Sequence, residues 1–220
     1  MSLLLKNAVF IDWETLDFIS GNIMVTGDEP SLKFFYDPQK SALPPGTETI
    51  DCSGKLVTKS FAVGHHHAYS ALSRGMPAPE QSPQNFHEIL KYIWWRLDKC
   101  LDAETIESSA LVTAMACLKA GSTFVVDHHV SPMAVKGSLE IIAKAFEKVG
   151  VSHLLCYEVS DRDGEKIARQ GIDETEVYLR NHQGLVGLHA SFTVSDKTLR
   201  QAVALTKIHM SGIHIHVAED

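Results

Sequence analysis

Histidine is the residue type in this chain whose number and spacing are typical of a metal-binding or catalytic site. There are 12 in 220 residues. One histidine after a strand would most often be a hydrogen-bonded structural residue, but several at one edge of a sheet indicate a shared site. Neutral imidazole is the commonest protein ligand of zinc and similar ions. Eight lie at or beside the ends of predicted strands: His65, His66, His67, His128, His129, His189, His214 and His216.

The spacing of these histidines predicts which of them share an ion. Side chains two residues apart on a strand point to the same side, so we expect His65 and His67 to face one metal. His214 and His216 form a second pair, and the spacing leaves open which of the two binds. Glu219, three residues beyond His216, is either a proton shuttle for a metal-activated water or a solvated surface carboxylate.

Buried strands that alternate with amphipathic helices must position these residues. From Phe61 to Val217, five strand-and-helix steps of roughly 30 residues predict a parallel sheet. A doubly wound open sheet is one solution. A (β/α)8 barrel fits better, because polar residues follow nearly every strand, at the edge where barrels build their active sites. A complete barrel takes ~250 residues, so the predicted fold class is α/β, a partial (β/α)8 TIM-like barrel with about five of eight strands.

The first 58 residues follow a different pattern. Runs rich in β-branched and aromatic residues, 3–11, 18–26 and 32–36, predict short strands, and Gly and Pro clusters at 27–30 and 44–46 separate them. We therefore expect a small β module in residues 1–58 and the β/α units in residues 59–220.

Composition and charge argue against several classes of function. A net charge of -7 and the lack of a Lys/Arg-rich run predict no nucleic-acid partner. No apolar stretch approaches the roughly 20 residues that span a bilayer, and the N-terminal apolar run is too short for a signal peptide. The cysteines form no CxxC pair, so we expect buried free thiols in a reducing, cytoplasmic protein without a membrane partner. They are Cys52, Cys100, Cys117 and Cys156.

Several segments together make the chain resemble the amidohydrolase superfamily. The likeness is strongest to its deaminases and chlorohydrolases of purines, pyrimidines and triazines, and within these to aminohydrolases of the SsnA type. The segments are 65–75, 92–98, 127–129, 157–162, 187–193 and 213–220.

The resemblance implies a fold and a set of site residues. The fold is a β-sandwich beside a distorted (β/α)8 barrel, so residues 1–58 would be the N-terminal part of the sandwich and residues 59–220 the first five barrel units. Glu219 is the implied proton shuttle. The implied metal ligands are His65, His67 and His216. The implied substrate contacts are His189, His129 and Glu158; Asp127 and His128 would line the pocket without an assigned role.

The resemblance also implies a reaction, the hydrolytic deamination of a small nitrogen heterocycle. The implied cofactor is a divalent metal ion, first zinc, with iron or manganese as alternatives. A chlorohydrolase or a cyclic-amide hydrolase would use the same site. A non-catalytic metal-binding fragment or partner subunit is the alternative of another class. Trp94 and Trp95 would lie in the barrel packing or in the interface of a homo-oligomer.

Two features depart from the family pattern. Lys59 and Ser60 stand where family members commonly carry Pro-Gly, which alters a turn but removes no ligand. The family also takes a histidine from its sixth strand and an aspartate from its eighth, and neither position lies within these 220 residues. We therefore expect a piece of a longer enzyme, with an unpaired edge at the fifth strand and negligible activity of its own.

Overall fold

Two compact units, Met1–Ser60 and Phe61–Asp220, make up the chain. The computed structural model describes residues 2–26, 31–34, 37, 39–40 and 42–219. Within these ranges no helix is long and apolar enough to cross a membrane. All cysteines are free thiols, and three are buried as expected; the expectation is wrong for Cys100, which is exposed.

One sheet forms the first unit. Its order is β3-β2-β1-β4, and β5 also pairs with β1. β1 and β2 are antiparallel, whereas β4 and β5 run parallel to β1. The predicted strand end at Tyr36 and the turn at 27–30 lie outside the described residues, and the assignment to a β-sandwich stays a prediction. The strands are β1 (Ser2–Ile11), β2 (Phe18–Thr26), β3 (Ser31–Phe34), β4 (Glu48–Asp51) and β5 (Leu56–Val57).

Parallel strands in chain order form the centre of the second unit, as the alternating pattern predicts. β6, β7 and β8 pair in that order, and β9 pairs with β10. Single bridges, Leu155 to Gly184 and Val159 to Leu188, connect β8 with β9. Across the described residues β6 and β10 do not pair, so the unit is a partial α/β fold and not a closed barrel. The strands are β6 (Phe61–His66), β7 (Ser122–His129), β8 (Ser152–Tyr157), β9 (Val186–Ala190) and β10 (Ile213–His216).

Helices separate these strands in the sequence. Asp102 and Thr105 form a capping box at the start of α3, and the Ser195 side chain caps α6. The helix predicted over 86–97 is divided by a π-helical segment, Leu90–Trp94. The helices are α1 (Phe86–Ile89), α2 (Trp95–Leu97), α3 (Ala103–Lys119), α4 (Ser138–Val149), α5 (Glu165–Leu179) and α6 (Asp196–His209).

The spacing of β8 and β9 depends on one glycine. A Cβ atom on Gly187 would lie 2.2 Å from the carbonyl oxygen of Tyr157. Any side chain here would therefore push the two strands apart. Because Glu158 follows Tyr157 and His189 lies two residues beyond Gly187, this close approach sets the distance between two of the predicted site residues.

Candidate metal centre

Three imidazoles meet where β6 and β10 end. The Nε2 atoms of His65 and His67 are 3.1 Å apart, and the Nε2 atom of His216 lies 3.2 Å from the first and 3.3 Å from the second. The side chains at positions 65 and 67 therefore lie on one side, as the period of a strand predicts. The structure brings together the three residues that the resemblance implies as ligands.

Hydrogen bonds to backbone carbonyls orient two of these rings. The Nδ1 atom of His67 lies 2.7 Å from the carbonyl oxygen of His128, and that of His216 lies 2.7 Å from the carbonyl oxygen of His189. A carbonyl oxygen only accepts, so Nδ1 of each ring carries the hydrogen, and Nε2 of a neutral ring holds a lone pair. The two Nε2 lone pairs therefore face each other.

This arrangement fits a first-row metal ion. Facing lone pairs repel, and a cation between them removes the repulsion. Zinc bound by nitrogen at 2.0–2.1 Å in tetrahedral geometry places its ligand atoms about 3.3 Å apart, close to the observed separations of 3.1, 3.2 and 3.3 Å. A carbonyl that holds Nδ1–H is also the usual support of a metal-binding histidine.

Two further histidines lie against this triangle. His214 Nε2 is 2.7 Å from His65 Nδ1, and the two rings stack. His128 is fully buried, and one of its ring nitrogens lies within 4.8 Å of the ligand atoms of His65, His67 and His216. The cluster therefore holds more imidazoles than the resemblance assigns to the metal.

Burial favours the neutral form of His65, His67 and His128. Burial and the neighbouring imidazoles of His67, His216 and His214 lower the pKa of His65 to about 4. Burial also lowers the pKa of His67, and it lowers the pKa of His128 well below its ordinary value. Since only a neutral imidazole has a lone pair to give to a metal, the environment favours the ligand form.

A cavity of about 230 Å³ opens beside two of these histidines, His67 and His216. It combines aromatic walls with titratable groups, the composition typical of a small-molecule site. Glu219 and His189 lie in its wall, and an oxygen of Glu219, a nitrogen of His189 and a nitrogen of His216 all lie within 4.8 Å of one another. Its other lining residues include Tyr69, Phe86, Trp94, Trp95, Asp98, Glu158 and Arg162.

Glu158 is a buried carboxyl group in the wall of this cavity. Its oxygens lie 3.7 Å from His67 Nδ1, 3.6 Å from His189 Nε2 and 3.7 Å from Arg162 Nη1. Burial raises the pKa of Glu158 to about 8, against the lowering effect of the Arg162 guanidinium. At pH 7 this carboxyl therefore holds its proton and can donate a hydrogen bond.

Arg162 connects the cavity wall to a second buried carboxyl. Its guanidinium forms an ion pair with Asp98 and lies 5.2 Å from the ring centre of Trp95. Burial raises the pKa of Asp98 to about 6, against the lowering effect of Arg162. Sequence reasoning gave no role to Asp98 or Arg162, although both lie in segments that carry the family resemblance.

His189 has a defined orientation in the wall. Its Nδ1 atom is 2.6 Å from Thr193 Oγ1, so Nε2 is the nitrogen left for a ligand. Burial, and then the nearby Arg162, lower the pKa of His189 to about 3. The ring is therefore neutral at pH 7.

The structure does not bring His129 to the cavity. Its ring is fully buried, its Nε2 atom is 2.9 Å from Ser131 Oγ, and it contacts Tyr69 and Tyr157. β7 continues through His129, so the strand period turns His128 and His129 to opposite faces. Only His128 faces the cluster, and a substrate contact by His129 stays a prediction.

Comparisons with known proteins bear on the family and the fold of the chain. The amidohydrolase family pattern matches residues 61–220. The chain is 28% identical to a 5-methylthioadenosine/S-adenosylhomocysteine deaminase of Thermococcus sibiricus, over all of this chain and 50% of that protein. It is 26% identical to a 5'-deoxyadenosine deaminase of Methanobrevibacter smithii, over 99% of this chain and 48% of that protein. The chain thus spans about half the length of the curated relatives it matches.

Solved structures show the same fold. Guanine deaminase of E. coli superimposes with a TM-score of 0.76 at 16% identity, over the whole chain and 54% of that protein. Atrazine chlorohydrolase of Arthrobacter aurescens, in complex with zinc, superimposes with a TM-score of 0.71 at 15% identity, over 97% of this chain and 52% of that protein. The chain belongs to the amidohydrolase family.

Proposed function

We propose that this chain provides the first part of the active site of a metal-dependent aminohydrolase that deaminates an aminopurine or a related heterocycle. The observation that carries the proposal is the triangle of Nε2 atoms of His65, His67 and His216, with sides of 3.1–3.3 Å, beside a cavity with a carboxylate in its wall. The deaminases among its relatives support an amino group as the leaving group.

The donor set fits zinc best. Imidazole nitrogen suits zinc, and it also suits iron. Iron or manganese is the alternative. An ion held by His65, His67 and His216 supplies Lewis-acid activation of water. We assign the proton transfers and the binding of the heterocycle to side chains in the cavity wall.

Glu219 is the proton carrier of the proposed reaction. Its carboxylate takes a proton from the attacking water and delivers it to a ring nitrogen of the heterocycle. The carbon that carries the amino group gains an oxygen, and a second proton transfer releases ammonia. Its position within 4.8 Å of nitrogens of both His189 and His216 supports this role, because it is close to the proposed substrate contact and to a proposed metal ligand.

His189 and Glu158 hold the heterocycle. Nε2 of His189 lies in the cavity wall, and Thr193 fixes the plane of the ring. Glu158, protonated at pH 7, offers a hydroxyl donor 3.6 Å from that nitrogen. A planar heterocycle with ring nitrogens suits these groups and the faces of Trp94 and Trp95. The cavity volume of about 230 Å³ admits one base-sized ring system, and a sugar would extend out of it.

Residues outside this chain complete the proposed enzyme. Among the residues that the structure describes, β6 and β10 each have one edge without a partner strand. These edges suit further strands that close a (β/α)8 barrel, and the family resemblance assigns two more site residues to such strands. The cytoplasmic location and a homo-oligomeric state stay predictions.

Ammonia release from a panel of heterocycles tests the proposal. The protein that contains these residues, loaded with zinc, is expected to release ammonia from at least one aminopurine base or nucleoside. Glu219→Gln should lower kcat by about 10²–10⁴-fold and leave the metal content unchanged. The matched control is Glu165→Gln, a carboxylate exposed at the start of α5 whose oxygen binds Lys197; it should retain the wild-type rate.

Other outcomes assign other functions. Chloride release without ammonia release would make the protein a chlorohydrolase with the same site. Bound metal without turnover of any amino-, chloro- or oxo-substituted heterocycle would favour a non-catalytic metal-binding role. Normal turnover in Glu219→Gln would remove Glu219 from the mechanism.

A further inference from the structure

The three proposed metal ligands differ in what holds the ring nitrogen that faces away from the other two ligands. Nδ1 of His67 and Nδ1 of His216 each lie 2.7 Å from a backbone carbonyl oxygen. Nδ1 of His65 also has a partner at 2.7 Å, but this partner is a side-chain atom, Nε2 of His214. A metal-binding histidine almost always donates its second N–H to an acceptor such as a backbone carbonyl. His214 therefore stands beside His65 where a carbonyl stands beside the other two ligands.

The geometry of this pair is that of a hydrogen bond between two imidazoles. The ring planes differ by 7°, and the ring centres are 5.0 Å apart. With 2.7 Å between the two nitrogens, this distance between the centres means that the nitrogens face each other along the line that joins the rings, the straight arrangement that a hydrogen bond prefers. Two nitrogens bound to one zinc ion would be about 3.3 Å apart, so His65 Nδ1 and His214 Nε2 do not share an ion.

The strand period places His214 behind the proposed ligands. His214 and His216 lie two residues apart on β10, so their side chains point to the same side of the strand. His216 is nearer the carboxyl end of the strand and lines the cavity together with His67, whereas His65 and His214 do not line it. His214 therefore adds no ligand on the cavity side, where the proposed reaction needs room for a water.

The hydrogen bond distinguishes between the two neutral forms of His65. Burial lowers the pKa of His65 and the pKa of His214, which favours the neutral form of both rings. A neutral imidazole has one N–H and one lone pair. If Nδ1 of His65 donates to His214, the lone pair of His65 lies on Nε2, which is 3.1 Å from His67 Nε2 and 3.2 Å from His216 Nε2. The other tautomer would place a hydrogen between these ligand atoms and exclude an ion.

We propose that His214 is a positioning residue of the metal centre, which accepts a hydrogen bond from Nδ1–H of His65 and so keeps the lone pair of His65 on the nitrogen that faces the ion. The inference rests on the metal site of the proposed function and adds an outer residue to it. It also gives different roles to the two histidines of β10, because His216 binds the ion and His214 holds another ligand in place.

NMR of the zinc-loaded protein tests this hydrogen bond in the wild-type sequence. The protein that contains these residues is labelled with 15N-histidine and loaded with zinc. Two nitrogens joined by an N–H···N bond share a scalar coupling, and two-bond 1H–15N correlations show which ring nitrogen carries the hydrogen. We expect a coupling between Nδ1 of His65 and Nε2 of His214, with the hydrogen on Nδ1 of His65. The resonances of His214 are identified by their loss in His214→Gln.

Zinc affinity, measured in competition with a chelating dye, gives a second readout. Loss of an outer partner of a metal-binding histidine costs about 10–100-fold in affinity, so His214→Leu, which has no acceptor, should bind zinc ~10–100-fold more weakly. His214→Gln keeps an acceptor oxygen and should recover most of this loss. The matched control is His153→Leu, at a half-buried histidine of β8 that packs against Phe146; it should leave the affinity unchanged. Circular dichroism identifies the variants that fold.

The outcomes separate this inference from the proposed function. Zinc binding by the wild type without a coupling between His65 and His214, or with wild-type affinity in folded His214→Leu, would overturn the inference and leave the metal site intact. Equal losses of affinity in His214→Leu and His214→Gln would also overturn it, because the loss would not depend on an acceptor. One-bond coupling of a His214 nitrogen to 113Cd in the cadmium-loaded protein would make His214 a ligand and overturn its outer role. A wild-type protein that binds no zinc would overturn both the inference and the proposed function.

Discussion

Gly187 offers a quantitative test of how the sheet sets the site. In Gly187→Ala the new Cβ atom would lie 2.2 Å from the carbonyl oxygen of Tyr157, whereas ordinary contacts begin at 3.4 Å. β8 and β9 must therefore separate by about 1.2 Å. This movement stretches backbone hydrogen bonds that join the strands, among them His189 N–H to the Val159 carbonyl at 2.9 Å. Overpacking costs about 1–3 kcal/mol and each weakened hydrogen bond about 1 kcal/mol, so we expect a loss of about 3–5 kcal/mol.

Urea unfolding followed by circular dichroism measures this loss. The matched control is Gly212→Ala, since a Cβ atom there meets only Leu185 Cδ2 at 3.5 Å, an ordinary contact. Hydrogen exchange at the amide of His189 should be faster in Gly187→Ala and unchanged in the control. A free energy of unfolding within about 1 kcal/mol of wild type for Gly187→Ala would refute the proposed strand spacing.

Three other predictions concern charge and orientation around the site. Burial lowers the pKa of His129 from 6.5 to about 4. Below pH 6.5 the His129 ring therefore binds a proton in the unfolded chain but stays neutral in the folded chain until about pH 4. Stability should therefore fall by about 2 kcal/mol from pH 6.5 to 5 relative to His129→Asn, and equal pH dependence in urea unfolding would contradict this. Arg162→Leu leaves the buried Asp98 carboxylate without its cation and should cost about 3–5 kcal/mol, against less than about 1 kcal/mol for Arg169→Leu in an exposed pair; similar unfolding midpoints would exclude a structural role for the buried pair. Thr193→Val removes the contact that orients His189 and should lower kcat/KM by roughly 10–100-fold with unchanged metal affinity, whereas an unchanged rate would show that the ring needs no such support.

The parts of the fold that local patterns determine could be predicted. α4 has the bounds Ser138–Val149 that its apolar period predicts, because Gly137 and Gly150 adopt the left-handed conformation at its two ends. β4 and β5 were not predicted. They are two to four residues long and largely exposed, and each pairs with β1 from a distant part of the sequence.

Some contacts of the candidate site could likewise be predicted from local sequence patterns, and others could not. The strand period alone predicts that His65 and His67 share one face, and their Nε2 atoms are 3.1 Å apart. The pairing of Arg162 with Asp98 joins residues 64 positions apart and depends on how the segment after α2 meets the end of β8. No local pattern contains that contact. The orientation of His128 likewise depends on β7 continuing past Asp127, which the pattern of apolar residues does not show.

Metal content is the measurement that tests the central claim most directly. The protein that contains these residues is loaded with zinc, passed through gel filtration and analysed by mass spectrometry of its metals, beside the variant His67→Ala. The three facing Nε2 atoms predict one tightly held ion per chain in the wild type and little or none in the variant. A wild-type protein that keeps no ion, or a variant that keeps as much as the wild type, would contradict a metal centre at this site.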